Sequence, residues 1–110
     1  MADDDLETAV QRLLAQVGHW ETGRWAVGAG TGTRGDLVYA LVQRLADHGA
    51  EAEQRPRRIV PREPDMILPD QLKVMTADLL AAGPTTELVD RALADVAETR
   101  VALSPPGPHS

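Results

Sequence analysis

Aliphatic side chains recur at three- and four-residue spacings in four separate stretches of this chain, and phenylalanine is absent. That spacing is the signature of amphipathic helices whose apolar stripes face one another. With a single tyrosine and two tryptophans, the core has to be assembled mainly from Leu, Val and Ala. Leu and Ala favour helices, whereas a β-sandwich would show more aromatic and β-branched runs. The expected fold is therefore all-α: a four-helix bundle formed by residues 1–103 as one domain, followed by a disordered, Pro-rich tail at 104–110.

The four stripes set the expected helices. Leu6, Val10, Leu13 and Val17 define the first, with a cap expected from Asp3, Asp4 or Asp5 and a stop at Gly18. Leu37, Val38, Leu41, Val42 and Leu45 define a second from Arg34 to about Gly49, fraying on towards Gln54. Thr33 and Asp36 match a capping box with Asp in place of Glu, and Gly49 is the expected terminator. Leu72, Met75 and Leu79, with Leu80 at the edge, define a third helix with Pro69 in its first turn; Met66, Ile67 and Leu68 precede it as further core candidates. Leu88, Val89, Ala92, Leu93, Val96 and Leu103 define the fourth, capped by Thr85 or Thr86, with Asp90, Arg91, Asp95 and Glu98 on the wet side. The short Gly83-Pro84 turn suggests that the third and fourth helices pack as an antiparallel hairpin.

Two long connections do not fit a minimal bundle, since compact helical domains seldom carry structureless loops of roughly 15 residues. In the first, "WETGRWAV" can form a small hairpin around Thr22-Gly23. It is followed by Gly30, Gly32 and Gly35, which fit G-x-G-x-x-G just before a helix. A dinucleotide fingerprint needs a buried strand before the glycines and a second strand after the helix. "RWAV" is too short for the first, and the polar "AEAEQRPRR" cannot be the second. A Walker loop would need Lys-Ser/Thr where Asp36-Leu37 stands. The preferred reading is a flexible lead-in to the helix. The alternative is a small-anion or ligand loop formed by Trp25, Gly30, Gly32, Thr33, Arg34 and Gly35, using free helix N–H groups. The Arg-Gly-Asp tripeptide at 34–36 is read as coincidence.

The second connection carries Pro56, Pro61 and Pro64 together with Arg55, Arg57, Arg58 and Arg62. It reads as a solvated, partly extended segment, since no aromatic residue is interleaved for base stacking. The formal net charge of −6 opposes general phosphate binding, so nucleic acid is not an expected partner and a DNA-binding regulator is a remote alternative.

Without cysteine there is no disulfide, thiolate nucleophile or zinc–thiolate site. His19, His48 and His109 lack metal-ligand spacing, and no nucleophile or carboxylate motif is present, so no catalytic residue, metal or cofactor is expected. The acidic beginning "MADDDLETAV" lacks the features of a secretory signal and no apolar run is long enough to span a bilayer, which points to the cytoplasm and away from the membrane. The expected function is a non-catalytic interaction module that forms a homodimer or docks to a protein partner. Trp20, Tyr39, Val74, Val101, Arg55, Arg57, Arg58 and Arg62 are the candidate contact residues, although core anchoring is the favoured reading for Trp20 and Trp25 and an exposed binding pair the alternative.

Overall fold

In chain order the elements are α1 (Ala2–Val17), α2 (Thr22–Trp25), β1 (Gly28–Ala29), β2 (Gly32–Thr33), α3 (Arg34–Glu53), a 3₁₀ turn (Asp65–Ile67), α4 (Leu68–Ala81) and α5 (Thr86–Leu103). The computed structural model describes residues 2–29 and 31–104. Residues 105–110, where the tail was expected, and Gly30 of the candidate loop lie outside the described residues. The fold is all-α, and its two-residue strands form one small antiparallel ladder, Gly28 opposite Thr33 and Ala29 opposite Gly32.

The predicted stripes supply the core. Leu6, Val10, Leu13 and Val17 of α1 are buried with Val38, Leu41, Val42 and Leu45 of α3, Leu72 and Leu79 of α4, and Leu88, Val89, Ala92, Val96 and Leu103 of α5. Full burial of one such aliphatic side chain stabilises by about 1.5–3 kcal/mol. Thr76 and Thr99 also sit in the buried stripes, which hydrophobic periodicity alone does not anticipate. Each hydroxyl donates to the carbonyl one turn back, Leu72 at 2.7 Å and Asp95 at 2.9 Å, so neither is left unpaired.

Several boundaries differ from expectation. Helix α1 already begins at Ala2, so Asp4 and Asp5 lie in its first turn, where their charge favours the dipole without capping. Gly49 does not end α3. It lies buried within the helix, which continues through Ala50–Glu53, residues that favour helix, and closes at Gln54 in the left-handed region at φ 57°. Gly49 faces α4 at Leu79, with room for a β-carbon at ordinary van der Waals distance. The expected hairpin in "WETGRWAV" is instead the helical turn α2, and the strand pairing falls further along, within "GAGTGT". Of Met66, Ile67 and Leu68, only Leu68 is buried.

The connection at Gly83, where φ is +66°, stops α4 as expected, and Thr85 Oγ1 accepts the Leu88 N–H to start α5. These two helices nevertheless do not form a packed hairpin. Each packs chiefly on α1 and α3, which places α4 and α5 at opposite corners of the bundle. No helix is long and apolar enough to cross a membrane among the described residues.

Candidate functional site

The glycine segment folds into a cap. Its short ladder brings Thr33 to the start of α3, where Thr33 Oγ1 accepts the Asp36 N–H at 3.1 Å and Asp36 Oδ2 accepts the Thr33 N–H at 3.0 Å. The Arg34 N–H donates to the Val27 carbonyl at 2.9 Å. The amides of Thr33, Arg34 and Asp36, which an anion would need, are thus already bonded within the chain. Gly35 is buried because the Asp65 carboxylate lies against its Cα; a β-carbon there would overlap that carboxylate. Two carboxylates, Asp36 and Asp65, therefore occupy the positive end of α3 that a phosphate would seek.

Arg62 bridges them. Its Nη2 is 2.8 Å from Asp65 Oδ1 and 3.3 Å from Asp36 Oδ1, and its guanidinium lies 5.2 Å from the centre of the Tyr39 ring. The Thr33 N–H, followed by the Arg62 guanidinium, holds the Asp36 carboxyl below its ordinary value of 3.8. Burial alone would lower the Arg62 pKa, but its bonds to Asp65 and Asp36 outweigh that and raise it. Because the Asp36 pKa is depressed in the folded chain, its stabilising contribution is present above 3.8 and is lost as pH falls through the lower folded value. Asp36→Asn is accordingly expected to melt below the wild type at about pH 6, with the gap closing towards about pH 3, as read by thermal unfolding across that range.

Arg34 and the tryptophans form a second cluster. Trp25 is 1% exposed and Trp20 6%, their rings meeting edge to face at 5.1 Å. The Arg34 guanidinium stacks over Trp20 at 5.1 Å. Both indoles therefore anchor the core, and Trp20, 6% exposed, offers no open contact surface.

The Arg- and Pro-rich connector is tethered at successive residues. The Gln43 side-chain amide donates to the Arg58 carbonyl at 2.9 Å and accepts the Val60 N–H at 2.8 Å. Tyr39 Oη donates to the Val60 carbonyl and Gln71 Nε2 to the Pro61 carbonyl. Val60 turns into the core, while Ile59, straddled by the Gln43 clamp, is 86% exposed. Arg62 is thus a structural latch, and Arg55, Arg57 and Arg58 remain on the surface, Arg55 lying 3.6 Å from Glu53. Beside the connector, α3 and α4 enclose a groove of about 320 Å³.

The other candidate contacts do not converge. Tyr39 is half-buried beneath the connector, whereas Val74 and Val101 stand exposed on α4 and α5, which are not packing partners. Asp95, expected on the wet side, is drawn into the α3–α5 seam, with Oδ2 2.7 Å from His48 Nε2 and Oδ1 3.9 Å from Arg44. One turn away along each helix, Arg91 pairs with Glu51 at 2.6 Å. Sequence reasoning missed Gln43, Ile59 and Asp65. The adjacent Ile59-Val60 pair in an otherwise polar stretch was the one available signal.

No protein-family model, no curated protein and no solved structure matches this chain.

Proposed function

We propose that this chain is a non-catalytic helical module that works by association, in the first place with a second copy of itself. The connector carries this reading. It is held by the side chains of Tyr39, Gln43, Gln71 and Arg62, yet the segment so ordered presents Ile59 to solvent at 86% exposure. Ile59 is the most exposed of the large apolar side chains among the described residues. Covering it in an interface recovers part of the roughly 1.5–3 kcal/mol that burial of such a side chain is worth. A bundle with a core of this size also has much surface relative to volume, and association lowers that ratio.

Light scattering across a dilution series tests the proposal. The expected mass is twice 11.8 kDa at high concentration, falling towards 11.8 kDa on dilution. A mass of 11.8 kDa at every concentration rejects self-association and leaves docking to a different protein as the interaction reading.

A further inference from the structure

We propose that the connector is a processing site: a trypsin-like endopeptidase cuts it once, after Arg57, and leaves a nicked bundle of two associated fragments. This goes beyond self-association and does not depend on it. Such an enzyme takes an arginine side chain into an acidic specificity pocket, and it needs accessible, extended chain on both sides of the scissile bond. The connector meets the second need. Residues 55–64 contain no helix, turn or bend, and 53–59 are all exposed. The segment runs back along α3, from the Arg55 N–H on the Ala50 carbonyl to Arg62 on Asp36. Those two α3 positions lie roughly 21 Å apart at 1.5 Å per residue, and seven residues coiled as a helix would span only about 10 Å, so the segment is extended.

The side-chain requirement is met at one position. Every lysine and arginine outside the connector lies in a helix, which must open locally before its main chain can be cut. Within the connector, Arg55 precedes Pro56, whose ring crowds the bond that would break. Arg58 commits its carbonyl to the Gln43 amide at 2.9 Å, and that oxygen is the one an oxyanion hole has to receive. Arg62 has its guanidinium on Asp65, Asp36 and the Glu63 carbonyl, so it cannot enter a specificity pocket without breaking the latch. Arg57 is exposed, and among the described residues neither its main chain nor its guanidinium is bonded. Water adds to the Arg57 carbonyl carbon, the C–N bond to Arg58 breaks, and the products are an Arg57 carboxylate and an Arg58 α-ammonium group. The cut falls outside the core. Helices α4 and α5 stay packed on α1 and α3, and Gln43 still holds Arg58 and Val60.

Brief digestion of the dilute, folded full chain with a trace of trypsin tests this, read by intact mass and by gel filtration. The expected first products are residues 1–57 and 58–110, which elute together and keep the helical circular dichroism of the uncut chain. Arg57→Gln is expected to slow the first cut by roughly tenfold or more, since the remaining connector arginines are tied down or precede proline. Arg24→Gln, in α2, is expected to leave the rate unchanged, with thermal unfolding confirming that both variants fold. A first cut inside a helix, or after Arg58 or Arg62, overturns the proposal. So does a connector that stays intact in the folded chain, a first cut as fast in Arg57→Gln as in the wild type, or fragments that separate once cut.

Discussion

Trp25→Ala should lower the stability of the chain by about 3–5 kcal/mol, the range for emptying a buried aromatic site. Trp25 is the largest fully buried side chain, and it holds the edge of Trp20 in a bundle otherwise filled by Leu, Val and Ala. Aliphatic neighbours of that size cannot refill an indole-sized space, so the cavity term is expected in full. Small domains are stable by only about 5–15 kcal/mol in total, so the loss takes a large fraction. For a chain of this length it corresponds to a fall in Tm of roughly 10–20 °C, measurable by circular dichroism. Val101→Ala, at a position 76% exposed, is expected to stay within about 0.5 kcal/mol of the wild type. A Trp25→Ala variant that melts with the wild type would remove α2 and the indole pair from the core.

Gly35→Ala is the second large effect, and its sign is the informative part. Alanine is favoured over glycine in helices by about 0.8–1.0 kcal/mol, so helix propensity alone predicts stabilisation. Here the added methyl group meets the Asp65 carboxylate, which Arg62 holds in place. Moving Asp65 breaks the latch between the start of α3 and the connector. The expected result is a net loss of about 1–2 kcal/mol, within the usual range for a named packing fault. Gly23 is the control, because a methyl group there meets nothing within 4 Å. Gly23→Ala should be neutral or stabilising by thermal unfolding. A rise in Tm for Gly35→Ala would show that Asp65 swings aside freely and that the latch holds little.

The contrast between these glycines marks what the chain reveals without its structure. The helical stripes were legible because burial on α1, α3, α4 and α5 follows the 3.6-residue period, and the Thr33/Asp36 box was legible because both partners lie within one turn. What stayed hidden depends on contacts distant in sequence. Gly35 is glycine because of Asp65, 30 positions later, and Asp95 leaves the wet face because of His48. The G-x-G-x-x-G spacing looked like a cradle because spacing does not tell which carbonyls and carboxylates take up the amides. The connector read as solvent-exposed chain because Gln43 and Tyr39, the residues that tether it, belong to a helix stripe boundary and carry no local signal. The packing order also eluded sequence, since a short turn at Gly83-Pro84 does not require that the helices it joins be neighbours.

Whether Asp36 and Asp65 fill the N-terminus of α3 separates a cap from an anion site, and titration with inorganic phosphate followed by tryptophan emission tests this directly. Trp20 lies against Arg34 and Trp25 against Trp20, so an anion captured by Arg34 at the head of α3 would change their emission. The predicted result is a flat response and an unchanged Tm. A saturable change in emission that disappears in Arg34→Ala would contradict it and make the glycine segment a binding loop.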